Sequence, residues 1–164
     1  MKIACSALEM PLVTNHPNRL PFVGLLGFVG LPSEKPPCGA RGHCISITQK
    51  CAVGALPGMV GMSLYADESL NKHDLHRKIG IITKAYVYGK RIIVRGFLYQ
   101  EDWKELIPSL RSSDMGMSVD IKDGHCLDMR AEVWEIDRAW ITGAAVMKRE
   151  KAAYRNTRFW VACR

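Results

Sequence analysis

A histidine within Asn71-Lys72-His73-Asp74 and a serine within Met115-Gly116-Met117-Ser118-Val119-Asp120-Ile121 are the residues of this chain whose types could do chemistry together. A serine hydroxyl becomes a nucleophile when a base takes its proton, and histidine is the usual base. The serine stretch alternates as a strand does. Met115, Met117, Val119 and Ile121 are therefore predicted to face a core, with Gly116, Ser118 and Asp120 on the opposite side. Gly116 is expected to leave open space beside Ser118 for a substrate backbone. Without known geometry, the pattern is first of all that of a surface serine on an amphipathic strand.

The elements that would hold these two residues come next. At 164 residues the chain reads as one domain with room for a real core. Its 48% hydrophobic and 24% charged residues suit a globular protein. Residues 1–21 carry Pro11, Pro17 and Pro21 and read as an irregular arm, and 22–31 as a glycine-rich, buried or bulged strand. Residues 32–42 form a Pro/Gly loop, 44–50 a short strand with Ile45 and Ile47 on one face, and 54–61 a turn-rich stretch. Residues 79–99 predict two strands around Tyr88-Gly89-Lys90, where glycine supplies the positive φ of a tight turn. In 100–113, the acids Glu101 and Asp102 and the stripe Trp103, Leu106, Ile107 and Leu110 predict a helix that Pro108 shortens, kinks or breaks. Lys122-Asp123-Gly124-His125 reads as a hairpin turn, 131–137 and 139–147 as two further strands, and the stretch after them as at most a helical turn. The expected fold is β-dominated α+β, a small curved sheet or barrel with one or two helices, spanning 22–154, with a basic tail at 155–164.

Charge and cysteine content narrow the partners. Net charge is +7, from 23 Lys+Arg against 16 Asp+Glu, and the stretch from Lys148 to Arg164 holds Glu150 as its one acid. Such a tail suits an acidic partner, whether an acidic protein or a nucleic acid, and equally a solvated face. Nucleic acid has charge alone in its favour, so it is not expected as a partner. Trp103, Trp134, Trp140 and Trp160 read as core and rim aromatics, and of these Trp160 alone lies within the basic tail. Cys38, His43, Cys44 and Cys51 lack the tight Cys-x-x-Cys spacing of zinc sites, so the thiols are expected to be buried or idle and no metal or cofactor is expected. The longest apolar run, Leu20 to Pro32, is too short to span a bilayer, and no secretory signal is recognisable. A cytoplasmic protein with no membrane association is the expectation.

The order of elements then resembles a known family. NKHDLHRKIGIITKAYVYGKRIIVRGFLY, a short helix, DMGMSVDI and WITGAAVMKREKAAY together look like the tailed-phage prohead proteases, the capsid maturation enzymes related to herpesvirus assemblins. ALPGMVG at 55–61 resembles the family's approach to the histidine. The likeness covers roughly 54–154, and its specificity lies in the ordered set rather than in any one motif. His73, Gly80 and Ser118 fall on the family's histidine, hairpin glycine and serine. The chain departs from the pattern on the last strand: Thr142-Gly143-Ala144-Ala145-Val146 stands where many relatives carry an E-V-S-type motif and a proline.

The resemblance implies a serine endopeptidase that cleaves scaffold and major capsid precursors, processes itself, and works in the host cytoplasm inside the assembling prohead, as a homodimer or higher oligomer. His73 would be its base and Ser118 its nucleophile. For the third residue, strand alternation puts Val133, Glu135 and Asp137 on one face, and Asp137 is the expected partner, followed by Glu135. Asp120 shares the face of Ser118 two residues away, and Asp74 adjoins the histidine. Assemblins use a second histidine, which keeps His125 and His76 in play. Arg138 holds the place, by order, of a basic residue that would steady an oxyanion. The rival expectation is a non-enzymatic virion or scaffold-binding protein that retains the protease fold.

Overall fold

Alternating apolar residues pair most of the chain into one mixed sheet, seen in a computed structural model that describes residues 15–162. Its strands are β1 (Leu20–Phe28), β2 (Cys44–Ile47), β3 (Ser63–Tyr65), β4 (Lys78–Tyr88), β5 (Arg91–Leu98), β6 (Met115–Cys126), β7 (Val133–Lys148) and β8 (Arg158–Val161). Two short helices, α1 (Gln49–Ala55) and α2 (Ile107–Leu110), complete an α+β architecture. The strands run in the order β2-β7-β3-β4-β5-β1-β8, and β6 pairs with β7. The sheet curls into a half-barrel. Its concave side is filled by Leu20, Phe22, Leu26, Ile79, Ile82, Val94, Leu98 and Met117, each at most 2% exposed. Each such side chain contributes about 1.5–3 kcal/mol by leaving water.

The hairpin of β4 and β5 turns at Gly89, whose φ of +59° lies in the left-handed region that a side chain disfavours. β1 has a register shift between Leu25 and Gly27, the bulge that its glycines suggest. Met115 and Met117 are buried as their alternation predicts, and Val119 and Ile121 pack against the same core.

Elsewhere the chain departs from its sequence pattern. Residues 1–14 of the expected arm lie outside the described residues, and the arm's last two positions, Leu20 and Pro21, already belong to β1. The turn-rich stretch begins in α1, where Thr48 Oγ1 accepts from Cys51 N at 3.1 Å as an N-cap. The helix expected over 100–113 is, by contrast, short as Pro108 implies: four residues, with Pro108 in the first turn, where a missing N–H is harmless. Lys122 to His125 is no turn: β6 runs through it to Cys126, with register shifts around His125 and Asp123 at φ +51°. The two strands expected over 131–147 are one 16-residue strand, β7. The basic tail contributes β8, which pairs with β1 and buries Phe159.

β7 organises the site. Its first half pairs in parallel with β2 and its second half in parallel with β3, while β6 runs antiparallel beside it along most of its length. Around Ala144 to Met147 both of its faces are buried. Ala144 and Val146 enter the main core, whereas Ala145 and Met147 pack with Tyr65 and Ala152 on the other side. Among the described residues no helix is long and apolar enough to cross a membrane.

Candidate active site

Ser118 stands opposite Ala145, and Asp120 opposite Gly143, on the face of β6 that looks toward Tyr65. A Cβ on Gly143 would come within 2.8 Å of the Tyr65 ring, so the glycine makes the space in which that ring lies. The Tyr65 hydroxyl donates to Asp120 Oδ2. His73 approaches the same carboxylate from the loop between β3 and β4, with Nδ1 3.0 Å from Asp120 Oδ1 and its ring centroid 5.8 Å from that of Tyr65. Three elements thus meet on one carboxylate.

The loop carrying His73 is tied at several points. Asp67 accepts from the backbone and hydroxyl of Ser69. Leu70 is buried, and its carbonyl accepts from Lys148 N at 2.8 Å, fixing the loop to the end of β7. Ala66 N donates to Arg77 O, and the Arg77 guanidinium lies 4.8 Å from the centroid of the Trp103 ring. Asp74 accepts from His76 N at 3.0 Å and so shapes the turn.

Burial sets the electrostatics. It pushes the His73 imidazole below the ordinary histidine range and the Asp120 carboxyl above the ordinary aspartate range. A neutral imidazole donating Nδ1–H to Asp120 keeps Nε2 as an acceptor, the state that a general base needs. Ser118 is half-buried, and no hydrogen bond joins it to His73 among the described residues.

Gly116 does not open space beside Ser118. A Cβ there would lie 2.8 Å from Thr157 Oγ1 and 2.9 Å from Arg149 Cγ. The glycine instead admits Arg149, which packs one alternation step from Ser118 on the same face. The Arg149 guanidinium reaches Asp114 at 3.2 Å, yet its Nε is buried without a hydrogen-bond partner.

The remaining expected residues gather elsewhere. Asp137 Oδ1 lies 2.6 Å from Nδ1 of His125, not beside His73. The reason is strand geometry: Asp120 faces Gly143, and six positions separate Gly143 from Asp137 along β7, roughly 20 Å. Arg138 pairs with His125 in register and belongs to that end too. Lys50, Cys51, Asp123, His125, Asp137 and Trp140 line a cleft of about 880 Å³ between α1 and the β6–β7 pair. Hydrogen bonding from His125 holds the Asp137 carboxyl low, whereas burial and the Asp137 charge raise the Cys51 thiol. Glu135 is exposed on β7. Of the cysteines weighed as ligands, Cys38 is exposed and Cys51 buried, and His43 stacks on Trp134 at 4.6 Å. Among the described residues no three His, Cys, Asp or Glu side chains converge as metal ligands.

Sequence reading missed Tyr65 and Arg149. Signals for both were present: the small run Gly143-Ala144-Ala145 leaves room for an aromatic, and Gly116 leaves room for a long side chain. The chain matches no protein-family model and no curated protein sequence.

Proposed function

We propose that this chain is a serine endopeptidase of the prohead-maturation type, with Ser118 as nucleophile, His73 as general base and Asp120 in the orienting place first expected of Asp137. The observation that carries the reading is the His73–Asp120 hydrogen bond of 3.0 Å on the face that also bears Ser118. Two positions on a strand lie about 6.6 Å apart, a gap that an imidazole bound to one carboxylate helps to bridge. Nucleophile–base hydrogen bonds are often loose before substrate binds and tighten in the complex.

In this mechanism Ser118 Oγ attacks the scissile carbonyl carbon while His73 Nε2 takes the hydroxyl proton. Arg149, packed at Gly116 one alternation step from Ser118, stabilises the tetrahedral oxyanion by turning its partnerless Nε–H toward it as substrate binds. Collapse breaks the C–N bond, and His73 passes its proton to the leaving amine. Water then adds to the acyl-serine with His73 again as base, and Ser118 is released. Asp120 keeps the imidazole in its Nδ1–H tautomer and stabilises the imidazolium, with Tyr65 fixing the carboxylate. Scaffold and major capsid precursors are the proposed substrates, within an assembling prohead.

One observation favours a second reading, a non-enzymatic virion protein of the same fold: Ser118 makes no hydrogen bond to His73 among the described residues. The test is a fluorophosphonate probe beside incubation with scaffold and capsid precursors, wild type against Ser118→Ala. Labelling at Ser118, and fragments from the wild type alone, are expected. No labelling, or equal cleavage by both proteins, overturns the enzyme.

A further inference from the structure

The convex face of β4, β5, β1 and β8 holds a second set of residues that the proteolytic reading does not use. Phe22, Val94 and Phe159 point into the core, so their neighbours along each strand point outward, and on β4 the register shift between Ile82 and Lys84 turns Lys84 and Tyr86 to the same side. Cross-strand register then builds one row from Trp160, Val23, Arg95 and Lys84, and the next from Arg158, Leu25, Ile93 and Tyr86. Trp160 is 53% exposed and Val23 36%. Lys84 Nζ and Arg95 Cζ lie 5.7 and 5.8 Å from the Tyr86 ring centroid. The four strands carry Lys78, Lys84, Arg91, Arg95 and Arg158 and no Asp or Glu. Lys84, Arg91, Arg95 and Arg158 form no ion pair with a carboxylate among the described residues.

From this face we infer that the protein binds single-stranded nucleic acid on the outside of its half-barrel. Unpaired cations on a solvent-facing sheet complement a phosphate backbone. The exposed Trp160 ring and the half-buried Tyr86 ring beside Lys84 and Arg95 offer stacking surfaces to unstacked bases, which charge alone would not require. Duplex reading is disfavoured by the elements present: α1 and α2 are seven and four residues long and bury side chains in the core, and the basic face is four strands wide, broader than the two-stranded ribbon that a major groove admits. Stacking on Trp160 and Tyr86 is tolerant of sequence, so the expected ligand is a single strand of any composition.

The test is fluorescence anisotropy of the full chain with a labelled 20-nucleotide oligo-dT across a salt series. Competition uses the matching duplex and a polyglutamate peptide of equal charge. Log affinity is expected to fall against log salt with a slope of roughly −2 to −3, as three or four phosphate contacts on a single strand require. Trp160→Ala should weaken binding about 5-fold or more by removing one stacked base. Lys84→Glu with Arg95→Glu should weaken it at least about 10-fold and flatten the slope. These side chains are at the surface, and an unchanged melting temperature confirms that the variants fold. The proposal is overturned by absence of binding at low salt, by stronger binding of the duplex, or by effective polyglutamate competition with Trp160→Ala silent. That last pattern would make the face an acidic-peptide site.

Discussion

Two histidine–aspartate pairs sit on the β6–β7 ladder, one at its middle and one at its far end, and the tighter one is not the better candidate for catalysis. His125 and Asp137 approach to 2.6 Å, His73 and Asp120 to 3.0 Å. Their surroundings differ more than their lengths. The carboxylates are similarly covered, but the His125 side chain is 52% exposed and faces a wide cleft, whereas His73 is 31% exposed and meets the Tyr65 ring. Water around His125 leaves hydrogen bonding to dominate, and the Asp137 carboxyl is held low. Burial dominates at the other pair, pushing His73 down and Asp120 up, away from the charged forms of both. A base must be neutral before the reaction and gain its charge during it, which the buried pair provides. A serine on the same strand face stands beside the buried pair, while Cys51, a thiol lining the cleft of the other, is buried and its pKa is pushed up, away from the thiolate form.

Exchanging the acids tests this contrast with the largest effect. Asp120→Asn is expected to lower kcat by roughly 10⁴-fold, as loss of the orienting carboxylate does in serine proteases. Asp137→Asn should leave kcat within a few-fold. Stability should move the opposite way. The Asp120 carboxyl is raised, so its ionised form opposes folding at neutral pH, and the asparagine variant should melt no lower than wild type. The Asp137 carboxyl is lowered, so it stabilises above the ordinary aspartate range and loses that contribution as pH falls through its folded value. Melting temperatures at pH 7 together with cleavage rates decide it. Equal loss of activity from the two variants would erase the distinction between the ends.

The arginines give a second, smaller split. Arg149→Met and Arg149→Lys should each cost roughly 10²-fold in kcat if Nε donates to the oxyanion, because lysine restores the charge but not the donor's place. Arg138→Met at the cleft end should have little effect. Full rescue by lysine would reduce Arg149 to a general positive field.

A pH profile sharpens the comparison further. As the proposed base, His73 must be neutral to act, and burial places its folded value below the unfolded 6.5. The acid limb of kcat/KM is therefore expected below pH 6.5, with more than half of the activity retained at that pH. The same depressed value makes the His73 contribution to stability full above 6.5 and progressively lost as pH falls toward the folded value. His125→Asn should leave that limb in place. A limb at or above 6.5 that moves with His125→Asn would assign the base to the other pair.

Much of this was legible in local pattern, and the rest was not for identifiable reasons. The β4–β5 hairpin announces itself because Gly89 interrupts two long β-branched runs. His73 and Ser118 stand out by type and setting, but the acid between them does not: Asp120 is 47 positions from His73, and strand register rather than spacing brings it there. β7 reads as two strands because Asp137-Arg138 is polar, yet that step is where its first pairing partner, β2, gives out before β3 takes over. The stretch Asp123-Gly124 mimics a turn because a bulge and a hairpin ask for the same residues. β8 hides in a basic tail since only Phe159 and its neighbours anchor four residues to β1.

Two glycines on β6 allow the smallest test, one at each end. Gly116 is covered by Thr157 and Arg149; Thr157 is fully buried, and its hydroxyl accepts from Met117 N at 3.1 Å while donating to Tyr154 O at 2.8 Å. A methyl group there has to displace that hydroxyl or the Arg149 stem, and Gly116→Ala should cost about 1–3 kcal/mol, a drop of roughly 2–10 °C in Tm. Gly124 meets only the Ile121 Cγ2 at 3.3 Å and the Ile136 Cγ2 at 3.9 Å, ends of side chains that can shift by a few tenths of an ångström. Its φ is not in the left-handed region. Gly124→Ala should therefore leave Tm unchanged or raise it slightly, since alanine restricts the unfolded chain by about 0.4–1 kcal/mol. Thermal melts of the two variants read this directly. A cost at Gly124 equal to that at Gly116 would mean that the cleft end of β6 is packed as tightly as the serine end, and the ranking of the two histidine pairs by their surroundings would lose its basis.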